Sequence, residues 1–215
     1  MSNPIEMEKR FQVLPSDLDD FLKNKKFISS KLVADEYLDT SDGLFYQDGI
    51  FIRLRNGKSL DFKFNPEHLG VNNVNEHVTC HEYNVALPFE LSSTHVFETL
   101  AKMIPIKCPE PYTYDEFLKI NNLKTLLVLD KKRTTYEDDL FVIAVDEFAD
   151  FGTFLELEAK NNNMQKEAFL NEVAMATKGM KVTEFNSGYI ELRLRQINEL
   201  LYLKGKYLID SDVAA

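Results

Sequence analysis

Apolar and polar residues alternate singly through much of this 215-residue chain, and a period of two is the mark of a strand with one buried face. It predicts strands at about Ile5 to Leu14, Asp35 to Leu38, Gly49 to Asn56, Ser59 to Asn65, Thr79 to Leu87, Leu126 to Glu137, Leu140 to Phe148, Thr153 to Lys160 and Gly188 to Arg195. Helical spacing is rarer. Pro15 and Ser16 ahead of Leu18, Phe21 and Leu22 read as a capped helix start. Ser93 to Ile104 carries Val96, Phe97, Leu100 and Met103 on one face and is stopped by Pro105. Met164 to Lys178 turns Phe169, Leu170 and Val173 inward before Gly179. Short helices are also expected over Tyr114 to Leu123 and after Ile197. Strands and helices do not alternate strictly, so an α+β fold with an antiparallel sheet is expected, not a doubly wound one.

No repeat, low-complexity tract or linker divides the chain, and its length and 44% apolar composition suit one domain with a substantial core. The expected division is a main domain over 1–196 and a C-terminal helix and tail over 197–215, ending in DSDVAA. A net charge of -10 argues against a nucleic-acid partner, because phosphate backbones are bound by excess Lys and Arg. No apolar run approaches the ~20 residues that span a bilayer, and the polar start MSNPIEMEKRF is unlike a secretory signal. With only Cys80 and Cys108 there is no disulfide framework. A cytoplasmic setting without a membrane partner is therefore expected. The oligomeric state, monomer or homodimer, stays open.

The charges fall on the strand faces in pairs. Glu6, Glu8 and Arg10 share one face of the first strand, Arg53 and Arg55 one face of the third, and Asp61 and Lys63 one face of the next. Lys131 and Arg133 pair likewise, as do Glu156 and Glu158 opposite Leu155 and Leu157. Any one strand is equally well read as half of a sheet with a solvated charged face. Repetition by sign points further, since solvated surfaces intersperse charges. Clustered guanidinium groups suit a polyanion and clustered carboxylates suit a hard divalent cation. If the sheet closes into a barrel, helices cover its apolar exterior and the charged faces line its interior.

In order along the chain, IEMEKRF, YLDT, GIFIRLR, DFKF, KKRTTY, AVDEF and GTFLELE resemble the motifs of the CYTH family of triphosphate tunnel metalloenzymes. That family includes thiamine triphosphatases, inorganic triphosphatases and class IV adenylyl cyclases. The resemblance covers most of the chain and implies an eight-stranded antiparallel β-barrel, the triphosphate tunnel, with helices packed outside. It further implies phosphate contacts from Arg10, Arg53, Arg55, Lys63, Lys131 and Arg133, and Mg²⁺ or Mn²⁺ held by Glu6, Glu8, Asp146, Glu156 and Glu158, with Glu8, Arg10 and Glu158 at the chemistry. Four departures stand out. The signature lysine is Arg10, which loses any role for an amine that sheds its proton. Asp61 replaces a common Thr. Only Glu82 remains of an often doubly acidic face in HEYNV. In NSGYIEL, which is similar to the closing Ser-Tyr segment, the preceding lysine is missing, with Lys181 the nearest substitute.

Other clusters carry less. His68, His77, Cys80 and His81 fit no common zinc spacing, and Asp39 to Gly43 lacks the closing glutamate of a calcium loop and reads as a strand-ending turn. Gly-rich phosphate loops are absent, leaving phosphate recognition to side chains. What the resemblance implies is metal-dependent hydrolysis of a small-molecule triphosphate, inorganic or thiamine triphosphate. Cyclisation of ATP to cyclic AMP and pyrophosphate is the alternative, and non-catalytic binding of polyphosphate or nucleotides a third reading.

Overall fold

The computed structural model describes residues 5–71, 78–110, 113–161 and 164–209. The strands are β1 (Ile5–Val13), β2 (Lys26–Asp39), β3 (Phe51–Arg55), β4 (Ser59–Phe64), β5 (Thr79–Ala86), β6 (Lys124–Glu137), β7 (Phe141–Phe148), β8 (Gly152–Ala159) and β9 (Val182–Phe185). The first eight run in the order β5-β4-β3-β2-β6-β7-β8-β1, and β1 pairs back with β5 to close an antiparallel barrel. Ile5 to Met7 pair with β5, whereas Arg10 to Val13 pair with β9. Thus β9 takes over the edge of β1 where β5 departs.

Around the barrel lie α1 (Leu18–Leu22), α2 (Leu44–Gln47), α3 (Ser93–Leu100), α4 (Tyr114–Ile120), α5 (Lys166–Ala176), α6 (Tyr189–Ile197) and α7 (Glu199–Tyr202). The outward apolar rows of β3 and β4, such as Ile52, Leu54, Leu60 and Phe62, pack against Phe97 and Leu100 of α3 and Phe117 of α4. Phe62 meets Phe97 and Phe117 edge-on, with centroids 6.1 and 5.8 Å apart. Replacing such a fully buried ring with Ala costs about 3–5 kcal/mol. On the other side, Phe11, Ile143, Leu155 and Leu157 meet Leu18 of α1 and Phe169 and Val173 of α5.

A third cluster closes one end of the barrel. Phe51, Phe148 and Phe154 stand at the ends of inward rows and pack with Tyr189, Ile190 and Leu194 of α6, Tyr202 of α7 and Tyr207. The segment after Ile197 is therefore part of this floor; DSDVAA lies outside the described residues. Tyr46 donates to the Tyr202 carbonyl at 3.2 Å, and Gly205 permits that contact, because a Cβ there would stand 2.3 Å from the Tyr46 hydroxyl.

Three sequence expectations change. Gly188 to Arg195 is not a strand: YIELRLR alternates, but α6 buries Tyr189, Ile190, Glu191 and Leu194 on one helical side. Seven residues fit both periods, and the floor selects the helix. Strand β2 begins at Lys26 instead of Asp35, because Lys26 to Ala34 pair with β6 alone, beyond the reach of β3. Without a core behind it that stretch has no need to alternate, and Phe27, Ile28 and Leu32 are exposed on it. The four residues of β9 were too few to signal a strand. The turn after β2 is as expected: Asp39 accepts the backbone N–H groups of Thr40, Phe45 and Tyr46 at 2.6, 3.1 and 2.8 Å.

Candidate active site

Above the aromatic floor the inward rows turn charged: Phe51 gives way to Arg53 and Arg55 on β3, Leu129 to Lys131 and Arg133 on β6, and Phe154 to Glu156 and Glu158 on β8. These rows enclose a cavity of about 130 Å³, and twelve of its seventeen lining residues are charged. Tyr37, Phe51, Tyr189 and Ile190 supply the apolar part of the wall. The cavity gathers Glu6, Glu8, Arg10, Arg53, Arg55, Lys63, Lys131, Arg133, Glu156 and Glu158 from five strands spread between residues 6 and 158.

Cross-strand register matches most of the cations. Arg53 lies opposite Asp61 and bonds it at 2.7 Å, and Arg55 lies opposite Asp35 and bonds it at 2.8 Å. Arg133 faces Asp146, to which it and Lys131 donate at 2.6 and 2.9 Å. Arg10 faces Glu156 at 2.7 Å, while it also reaches Glu8 at 3.2 Å and donates to the Ser187 carbonyl at 3.0 Å. Burial works against the Asp35 charge, but Arg53 and Arg55 prevail and hold its carboxyl at about 2. Lys131 moves the other way: burial, then repulsion by Arg133, lowers its ammonium to about 8. Like charges two residues apart are tolerable because opposite charges stand on the neighbouring strands.

Carboxylates dominate the other half. Glu8 lies directly opposite Glu158, and Lys63 is surrounded by Glu8 at 2.9 Å, Glu82 at 3.6 Å and Glu6 at 3.7 Å. Burial, reinforced by Glu156 and Glu8, pushes Glu158 up to about 7. Glu6 and Glu82 act on each other in opposite directions. Burial raises Glu6; Lys63 and Arg53 overcome the same effect at Glu82 and keep it low. Such a cluster lacks positive charge. Among the described residues no three ligand-type side chains already surround one point.

The expected residues fall into two groups. Glu6, Glu8 and Glu158 belong to the carboxylate-rich half, joined by Glu82, whose isolation in HEYNV concealed its weight. Asp146 and Glu156, expected as metal ligands, are engaged with Lys131, Arg133 and Arg10. Asp35, Tyr37 and Tyr189 were not singled out: Asp35 signals itself only once β2 and β3 are in register, and Tyr189 only once its segment is helical. Lys181 is exposed and does not line the cavity. Of the histidine group, His68 bonds the Tyr207 hydroxyl at 2.9 Å and His77 lies outside the described residues.

A family model for the CYTH domain matches residues 4–187. The chain belongs to the CYTH domain family. Members of the family are enzymes, triphosphatases and adenylyl cyclases, that bind small triphosphates and generally use divalent metal ions. Among solved structures the chain is similar to the PH1819 protein of Pyrococcus horikoshii, at 19% identity and TM-score 0.58 over 89% of this chain and 99% of that one. It is likewise similar to a candidate adenylate cyclase of Vibrio parahaemolyticus, at 15% and 0.56 over 89% and 99%. A third is a candidate adenylyl cyclase of Hippeastrum with a dominant triphosphatase activity, at 18% and 0.53 over 90% and 95%. At these identities the likeness is one of CYTH fold. No curated protein matches the sequence. No helix among the described residues is long and apolar enough to cross a membrane.

Proposed function

We propose that this CYTH protein hydrolyses a small triphosphate, inorganic or thiamine triphosphate, with a divalent cation. One observation carries the reading: a row of cations and a row of undercompensated carboxylates face each other across one small cavity. Arg53, Arg55, Lys131 and Arg133 bind phosphoryl oxygens, for which guanidinium forks have the right geometry and charge. Their carboxylate partners on neighbouring strands fix each fork before substrate arrives. Arg10 has most of its donors bound to Glu156, Glu8 and Ser187, so it spaces the two halves as well as facing the cavity. Glu6, Glu8, Glu82 and Glu158 would hold Mg²⁺ or Mn²⁺. The ion, when bound, supplies charge neutralisation at the transferred phosphoryl group. Glu158 orients the attacking water from the carboxylate half.

Cyclisation of ATP is the competing reading, supported by the likeness to the candidate cyclases of Vibrio and Hippeastrum. Against it stands the density of charge around the cavity, which suits a phosphate chain more than a purine. The test is turnover of inorganic triphosphate, thiamine triphosphate and ATP with Mg²⁺ or Mn²⁺, read as phosphate release and as cyclic AMP. Phosphate without cyclic AMP is the expected result. Cyclic AMP as main product makes the protein a cyclase, and binding without turnover of any of them makes it a binder.

A further inference from the structure

One polar atom on a residue that lines the cavity has no partner among the described residues. Tyr189, the first residue of α6, is 5% exposed. The Arg10 guanidinium lies over its ring at 4.4 Å and the Lys131 ammonium at 4.8 Å, while Phe148 and Phe154 pack against it at 4.7 and 5.1 Å. The ring is held on all these sides by cation–π and edge contacts, and yet its hydroxyl is buried and makes no hydrogen bond among the described residues.

Neighbouring buried phenols behave differently. Tyr46 donates to Tyr202, Tyr202 accepts the N–H of Ile209 at 2.9 Å, and Tyr207 pairs with His68. The carboxylates that act on the Tyr189 hydroxyl, Asp146 and Glu156, already receive hydrogen bonds from Lys131, Arg133 and Arg10. A buried donor lacking an acceptor destabilises a fold. Here Tyr189 lines the charged cavity with its hydroxyl buried behind that lining, and burial with the nearby Asp146 keeps it protonated by raising its pKa.

We propose that Tyr189 is a substrate-binding residue whose hydroxyl donates to a terminal phosphoryl oxygen seated at the closed end, between Arg10, Lys131 and Arg133. The inference rests on the triphosphate reading above. It adds a direction to that reading: the unesterified end of the chain enters first, because the floor leaves no room for an organic substituent beyond it. A neutral O–H to a phosphate oxygen makes a short, directional bond, and it fixes the terminal group where the surrounding cations supply charge alone.

The test is calorimetric titration of inorganic triphosphate, with Mg²⁺, into the intact protein and its Tyr189→Phe variant, beside thermal unfolding of both without ligand. Phe keeps the ring, the stacked cations and the edge contacts. The expected result is a dissociation constant raised about tenfold or more, with an unfolding temperature unchanged or higher. Equal affinity in the variant overturns the proposal, and so does a lowered unfolding temperature with unchanged affinity, the pattern of a purely structural hydroxyl. Failure of the unmodified protein to bind triphosphate would overturn the functional reading itself and the proposal with it.

Discussion

Around Arg53, Arg55, Lys131 and Arg133 each cation has a carboxylate on an adjoining strand, whereas Glu6, Glu8 and Glu82 crowd the ammonium of Lys63, with Glu158 opposite Glu8. The two halves stand on different strands but line one cavity, so the contrast between them is one of charge balance. The balanced half is complete on folding: its counter-charges are fixed. On the proposed reading a cation completes the carboxylate half, and the barrel would hold a preorganised anion grip beside a cation deficit.

The hardest blow to this contrast is removal of the cation or of a carboxylate on the deficient side. Excess EDTA is expected to abolish triphosphate turnover and Mg²⁺ or Mn²⁺ to restore it. Glu158→Gln and Glu8→Gln, at nearly constant size, should lower phosphate release by about a hundredfold or more at limiting Mg²⁺. Without metal, Glu158→Gln should unfold no earlier than the wild type, as it relieves repulsion. Full turnover in EDTA, or a wild-type rate in Glu158→Gln, would sink the metal reading.

On the balanced side the stability effect reverses. Asp146→Asn strands Lys131 and Arg133 in the interior, and breaking a buried ion pair at one partner costs about 3–5 kcal/mol. Urea unfolding is the measurement; a loss under ~1 kcal/mol would show that these cations do not depend on Asp146.

Glu191, beneath the floor, sharpens the comparison as a carboxyl serving neither half. It is fully buried, neither oxygen has a hydrogen-bond partner, and desolvation pushes it up to about 7, softened by the nearby N–H groups of Gly188 and Glu191 itself. Unfolded, it titrates near 4.5. From pH ~4.5 to ~7 the unfolded chain gives up this proton while the folded one keeps it, so stability falls as pH rises and then levels off. Glu191→Gln removes that dependence and should be about 3 kcal/mol more favourable, relative to wild type, at pH 8 than at pH 4. Parallel stability–pH profiles for the two proteins would contradict it.

Smallest is the effect on binding of Arg53→Ala or Arg55→Ala, a weakening of inorganic triphosphate binding by about ten- to a hundredfold, from the ~1.5–3 kcal/mol of a charge-assisted contact. Asp61 and Asp35 would each lose a partner, so both variants should also unfold earlier than wild type. An unchanged dissociation constant in both would remove the pair from the site.

Legibility tracked how local the cause was. Strands β1, β3, β4 and β8 were readable because a core behind them enforces alternation, and their charged rows named Glu6, Glu8, Arg10, Arg53, Arg55, Lys63, Glu156 and Glu158 with no structure at all. What depended on register was not. That Arg53 meets Asp61, that Arg133 meets Asp146 and that Glu8 meets Glu158 are facts about pairs of strands up to 150 residues apart. The split into a balanced and a deficient half therefore stayed hidden, and so did the helical state of YIELRLR, decided by the aromatic floor beneath it.

The pairing of β1 also sets a timetable for synthesis. A ribosome releases Ile5 to Val13 early, but their partners are β5, β8 and β9, and the last of these lies some 170 residues downstream. Until then the row of Glu6, Glu8 and Arg10 waits without its neighbours, and the rings of Phe51, Phe148 and Phe154 await the helix that will cover them. Local hairpins such as β3–β4 and β7–β8 form first, loop closure being cheapest at short separation. The cavity thus cannot be complete until β9 and α6 have followed β1 out of the ribosome, whatever forms before them.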